Sequence, residues 1–361
     1  MMLLRCALLF ACGGVLMFSQ EARPRLRPLN DQSANAVTGP AIGAHIPEFA
    51  AVDQNGKPQT FETLKGPKGL VLVFARSADW CPFCKTQLAD LNRQAANFHK
   101  QGVHVASLTY DSTDILKTFA ARIGIGYPML SDPESKVIRA FGILNTSVDK
   151  STARYGIPYP GTYVINEKGV ITAKYFDDDY RERSSAASIL TREFGAEGVV
   201  KKSVENTQLK LTYYASDAKL APGHRAALVL DIELKPRMHL YAPGVEHYLP
   251  IDWQMADSKS WAAFPAVYPS SHMLNLPVIQ ETVPVYTDRL RIMRDVAVGL
   301  DPELAPALSG DRNLTVDGTF RYQACDDKEC YLPKTIPLQW TFEIGRLDTQ
   351  RVPEELQRKA P

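Results

Sequence analysis

Gly69-Leu-Val-Leu-Val-Phe-Ala75 runs through Arg76-Ser-Ala-Asp-Trp80 into Cys81-Pro82-Phe83-Cys84. Beyond it Leu88, Leu91, Ala95 and Phe98 recur at helical spacing. A short unbroken apolar run is what a strand buried on both faces needs. Spacings of three and four place apolar side chains on one face of a helix. Cys81 therefore falls where a buried strand hands over to a helix. The unpaired amides and the dipole at a helix start favour thiolate, and only thiolate attacks a disulfide sulfur. Pro82 suits the first turn, where its missing N–H would have had no partner. Cys84 is close enough to attack a mixed disulfide formed at Cys81. Cys81 is thus the expected nucleophile and Cys84 the resolving thiol, framed by Trp80, Pro82 and Phe83.

Working outward, Val103 to Leu108 predicts a second buried strand and residues 112–123 a helix. Gln54-Asn55-Gly56-Lys57 predicts a hairpin turn with positive φ at both central residues. Residues 162–166 and 170–175 predict another hairpin, and residues 179–194 a closing helix. Strands alternating with helices over residues 42–195 mean an α/β domain around a central sheet. From about residue 204 to 345 the pattern changes. Leu228, Leu230, Ile232 and Leu234 alternate with Val229, Asp231, Glu233 and Lys235, as do Ile336, Leu338, Trp340, Phe342 and Ile344 with their neighbours. This predicts an all-β sandwich. The polar tail, residues 346–361, is expected to be loose.

Arg5 precedes a 13-residue apolar run, Cys6 to Phe18, too short to span a bilayer comfortably but matched to a signal-peptide core. Residues 1–20 are therefore expected to be a leader and 21–41 a linker, giving a periplasmic or otherwise extracytoplasmic protein. Leu9-Phe-Ala-Cys12 also resembles a lipoprotein box, which would tether the chain to a membrane through Cys12. The 361 residues carry 41 Lys and Arg against 40 Asp and Glu, a net charge of +1. No basic excess or stripe marks a nucleic-acid partner.

The stretch Trp80-Cys81-Pro82-Phe83-Cys84 resembles the active site of thioredoxin-fold oxidoreductases. Ile46-Pro-Glu-Phe49, the Asn55-Gly56 turn, Ser131-Asp132-Pro133 and Ala140-Phe141-Gly142 resemble their redoxin branch, the AhpC/TSA peroxiredoxins and TlpA-like proteins. The resemblance implies a thioredoxin-like domain over 42–195 with a cis-proline opposite the dithiol, and Pro160, in Tyr159-Pro160-Gly161-Thr162-Tyr163, fits that slot. Peroxiredoxins place Thr or Ser three residues before the attacking cysteine, and a proline further upstream. Ala78 and Phe74 stand there instead, which weakens the rival reading of a thiol peroxidase using Cys81. Thioredoxins also bury an acid in the strand before the dithiol, and Ala75 and its neighbours offer none. Lys85 is expected to point to solvent.

The other pair lies in Tyr322-Gln-Ala-Cys325-Asp-Asp-Lys-Glu-Cys330-Tyr-Leu-Pro333, across a hairpin mouth. Asp326, Asp327 and Glu329 disfavour thiolate there, with Lys328 partly offsetting them. That suits a disulfide attacked by a partner, and a static structural bridge is the alternative. Cys-x2-Cys also fits zinc, but two further ligands are needed and the second pair is in another domain. A copper chaperone of related fold needs a histidine near the proline loop, and residues 150–165 hold none. No metal and no cofactor is expected.

Ala221-Pro-Gly223, Met238-His-Leu-Tyr-Ala-Pro-Gly244 and the Cys325/Cys330 hairpin resemble the immunoglobulin-like amino-terminal periplasmic domain of DsbD, the disulfide bond corrector type. This implies that Cys325 and Cys330 relay electrons to Cys81 and Cys84, and thence to protein disulfide substrates. It also implies a separate membrane electron donor of the DsbD or CcdA type. Tyr241, Tyr322 and Tyr331 either pack around the couple or fill the sandwich. A partner-docking module with a static disulfide is the reading from another functional class.

Overall fold

The structure, a computed structural model, describes residues 39–276 and 281–360. The leader, Cys12 and most of the linker lie outside the described residues. Through residue 194 the chain forms β1 (Ala50–Asp53), β2 (Pro58–Thr60), α1 (Phe61–Leu64), β3 (Gly69–Phe74), α2 (Pro82–Lys100), β4 (Val103–Thr109) and α3 (Thr113–Ile123). There follow β5 (Met129–Ser131), α4 (Lys136–Ala140), β6 (Gly161–Ile165), β7 (Ile171–Tyr175), β8 (Arg183–Ser184) and α5 (Ala186–Phe194). The sheet order is β2-β1-β5-β4-β3-β6-β7, with β3, β4 and β5 parallel and both flanks antiparallel.

Every residue of β3 is buried because the strand feeds two cores. Val71 and Val73 face Leu88, Leu91, Phe119 and Ile189 from α2, α3 and α5. Leu70, Leu72 and Phe74 face Ile138, Phe141 and Tyr163 on the other side. This thioredoxin-like α/β layering is what the unbroken apolar run predicted. The β1–β2 turn differs from expectation, since only Gly56 takes positive φ (78°). Asn55 stays at negative φ, with its N–H donating to Asp53 Oδ1. The closing helix begins later than expected. Arg183 and Ser184 instead pair in parallel with His224 and Arg225, and Ser185 caps α5 by accepting from Ser188 N–H.

The remainder is rich in strands: β9 (Lys202–Glu205), β10 (Leu209–Ala215), β11 (Lys219–Leu220), β12 (His224–Leu234), β13 (His239–Tyr241), β14 (Asp252–Met255) and β15 (Trp261–Ala263). Then come β16 (His272–Leu276), β17 (Glu281–Thr287), β18 (Arg289–Val298), β19 (Asn313–Tyr322), β20 (Ala324–Cys325) and β21 (Lys334–Ile344). One sheet runs β15-β18-β12-β10-β9 and another β11-β21-β19-β14. Both line a single core that includes Leu211, Leu230, Ile292, Val316, Trp340 and Phe342. In β21 burial alternates strictly. In β12 the first seven residues are buried on both faces, because α5 of the preceding domain packs on the outer one. A third small sheet, β16-β17-β13-β20, carries Cys325.

The two halves are joined by more than a linker. β8 extends the β12 edge, Arg192 pairs with buried Asp295, and Arg225 pairs with Asp177 and Glu182. The polar tail is not loose: from Gly345 it returns to the first domain. Buried Val352 anchors it there, with Asp348, Arg351 and Arg358 meeting charged or carbonyl partners.

Candidate redox centres

The loop from β3 to α2 is held from below. Ala75 N–H donates to Leu108 O at 3.0 Å, tying the loop start to β4. Asp111, just past the end of β4, accepts from Ala78 N–H at 2.6 Å, Ser77 Oγ at 2.9 Å and Thr109 Oγ1 at 2.9 Å. Its carboxyl is fully buried, and burial pushes its pKa up to about 6 despite these donors. This is an acid beneath the dithiol loop, following β4 rather than lying on β3. The signal in sequence is Thr109-Tyr-Asp111, a charge directly after a buried strand.

Cys81 is the residue capping the 19-residue α2. Cys84 N–H donates to its Sγ at 3.3 Å, and Pro82 occupies the first turn. Cys81 and Cys84 form a disulfide and both are buried. Trp80 Nε1 donates to Tyr110 Oη at 2.9 Å, and Arg76 and Arg154 lie over the Trp80 ring. Phe83 meets Tyr180 edge-on at 6.4 Å between centroids. Lys85 does not point to solvent. It is buried, donates to Gln350 O at 2.5 Å and lies 3.7 Å from Asp348. Burial draws its pKa down, with Asp348 opposing.

Pro160 precedes β6, whose first residue Gly161 pairs with Phe74. It therefore stands at the same end of the sheet as the dithiol. Its peptide bond is trans, as are all those among the described residues, against the cis isomer expected. The chain reaches β6 already extended: Tyr159 N–H bonds Ile143 O at 2.7 Å and Pro158 bridges to Leu144.

Cys325 and Cys330 form the second disulfide. Cys325 is buried opposite His239 of β13, whereas Cys330 is exposed. Tyr241 Oη lies 3.8 Å from Cys330 Sγ, and its ring stacks on Tyr248 at 4.3 Å. Tyr322 is core instead, stacked on Phe320 and bonded to Asn206 and Gln208. Tyr331 donates to Asp326, whose carboxyl is held down at about 2, chiefly by the N–H groups of Glu329 and Lys328. His239 is buried, and desolvation lowers its pKa.

The strand β12 separates the two pairs. At its start it pairs with β8, and Arg183 N–H bonds Gly223 O at 2.9 Å. Tyr180, which touches Phe83, is three residues from that bond. At its end Leu234 pairs with Leu209, Lys235 N–H bonds Gln208 O, and the Gln208 side chain accepts from Tyr322 Oη. Cys325 follows Tyr322 by three residues. Eleven residues of β12, at a rise of about 3.3 Å each, set its ends about 30 Å apart. The structure thus gathers Trp80, Cys81, Pro82, Phe83, Cys84 and Pro160 at one end and leaves Cys325 and Cys330 at the other. A zinc site shared by the four cysteines of one chain is excluded in this arrangement.

The AhpC/TSA family matches residues 42–174. The thiol-disulfide oxidoreductase ResA of Bacillus anthracis is 27% identical over 143 residues, which is 39% of this chain and 73% of that protein. A chloroplastic peroxiredoxin Q of Suaeda salsa is 29% identical over 164 residues, 45% of this chain and 72% of that one. Among solved structures, AhpC of Enterococcus faecalis is 24% identical with a TM-score of 0.35, covering 44% of this chain and 98% of that chain. With a bridged Cys-x-x-Cys at a helix start, these sequence likenesses make the chain an oxidoreductase enzyme of thioredoxin-like fold. Among the described residues no helix is long and apolar enough to cross a membrane.

Proposed function

We propose that the chain is an exported thiol–disulfide oxidoreductase acting on protein disulfides, with Cys81 as nucleophile and Cys84 as resolving thiol. The observation that carries this reading is Cys81 Sγ at the start of α2, accepting the Cys84 N–H where partial positive charge favours thiolate. The Cys81 thiolate attacks a substrate disulfide and forms a mixed disulfide, releasing one substrate thiol. Cys84 then attacks Cys81 Sγ and releases the second, so that two electrons leave the dithiol and its disulfide closes. A separate membrane donor of the DsbD or CcdA type restores the dithiol.

The strand-rich half is, in this reading, an immunoglobulin-like sandwich of the DsbD amino-terminal kind. Exposed Cys330 is the sulfur its partners attack, beside Tyr241, whose ring stacks on Tyr248. Exchange between the two pairs runs between molecules, because sulfur must touch sulfur and about 30 Å of β12 intervenes within one chain. The likeness to peroxiredoxin Q gives hydroperoxide reduction at Cys81 as a second reading. Steady-state peroxide consumption decides that one.

The test is to equilibrate the protein in glutathione buffers, alkylate free thiols and quantify each pair by mass spectrometry. Both pairs should titrate reversibly between about −120 and −300 mV. Cys81→Ser should abolish turnover and Cys84→Ser should accumulate mixed disulfides. A Cys325–Cys330 pair that stays oxidised throughout makes the sandwich a docking module. Free substrate release from Cys84→Ser refutes the assignment of roles.

A further inference from the structure

Asp79 lies two residues before Cys81, and its carboxylate is almost wholly shut off from solvent. A buried carboxylate needs donors. Among the described residues, every hydrogen bond this one accepts comes from the far end of the chain. Arg351 Nε reaches both oxygens, at 3.1 and 3.2 Å, Arg351 Nη2 pairs with Oδ2, and Val352 N–H reaches Oδ1 at 3.0 Å. The same tail segment bonds α2 directly behind the cysteines. Asp348 N–H donates to Thr86 Oγ1, and Gln350 O accepts from Lys85. Further on, Arg358 bonds Tyr110 O and Pro133 O and lies over the Tyr110 ring, which holds Trp80.

From this geometry we infer that Arg351 is a positioning residue of the redox centre. Carried in on the returning tail, it cancels the Asp79 charge that would otherwise oppose thiolate formation at Cys81. The inference rests on the reading of Cys81 as the nucleophile. A negative charge two residues from a thiol, in a site largely closed to water, disfavours its ionised form. A bidentate Arg–carboxylate pair turns that charge into a neutral unit and fixes the loop geometry at once. The other charged or titratable groups around the dithiol are Arg76 and Asp111 beside its loop, Lys85 on α2, Arg154 ahead of β6, Tyr110, Tyr180 and Asp348. All are left intact by changes at positions 79 and 351, so those changes report on the Asp79–Arg351 pair.

The experiment follows the pH dependence of Cys81 alkylation in the reduced full-length protein, alongside turnover. Arg351→Gln leaves Asp79 charged. It should move the alkylation midpoint upward and slow the reaction at neutral pH about five- to ten-fold, one pKa unit being tenfold in thiolate. Arg351→Lys should restore most of the rate. Asp79→Asn combined with Arg351→Gln removes both charges and should bring the midpoint back toward that of the parent. A merely structural clasp would be damaged by Arg351→Gln and not rescued by the double change. An unchanged midpoint in Arg351→Gln, or faster alkylation there, overturns the inference. Turnover that survives Cys81→Ser overturns the functional reading instead.

Discussion

Asp111 shows how a single buried carboxyl can shape both the site and its stability. Burial lifts its folded-state pKa from 3.8 to about 6, so between those values the folded protein binds a proton that the unfolded chain has lost. Stability therefore falls as pH climbs from about 4 to about 6, and the loss persists above. At about 1.4 kcal/mol per unit the effect amounts to about 3 kcal/mol. Asp111→Asn should remove that slope, which denaturant unfolding at pH 4 and pH 7 measures directly. An unchanged slope means the carboxyl is paired differently. The Cys81–Cys84 centre was legible because its strand, helix start and cysteines are contiguous. Asp111 left only the local signal of a charge after a buried strand, since its place under the loop depends on strand order, and the Asp79–Arg351 pair left none, being a contact 272 residues apart.

Among elements, α5 joins the two halves. Ser185 caps it, accepting from Ser188 N–H at 2.9 Å, and donates to buried Asp217 at 2.7 Å. Asp217, which also faces Asp90, has its pKa raised by burial and by that neighbouring charge. Ser185→Ala should cost about 1–2 kcal/mol, combining a lost cap with a buried acceptor short of one donor, as read by thermal unfolding. A negligible change shows the junction held elsewhere. The sequence reading began this helix too early because Arg183 and Ser184 belong by pairing, not by pattern, to the neighbouring sheet. β21 was readable because one face meets core and the other solvent. β12 blurred where α5 covers its outer face, and the tail was misjudged because its few apolar and charged anchors carry no period.

At the scale of the whole molecule, the thioredoxin-like domain and the strand-rich half carry their disulfides toward opposite ends of β12. The sequence suggested a relay between them without showing where each would stand. β8 on β12, Arg192 on Asp295 and the returning tail hold the halves together at three places, which opposes a swing that would bring the pairs into contact. In the proposed relay, electron exchange between them is accordingly a reaction between two molecules. The most direct measurement uses the double variant Cys84→Ser with Cys325→Ser, which leaves Cys81 and Cys330 as the thiols able to cross-link the two centres. After mild oxidation over a wide range of protein concentration, Cys81–Cys330 bridges should link separate chains, at a rate that rises with concentration. Bridges within single chains, formed at a rate independent of concentration, would contradict the account.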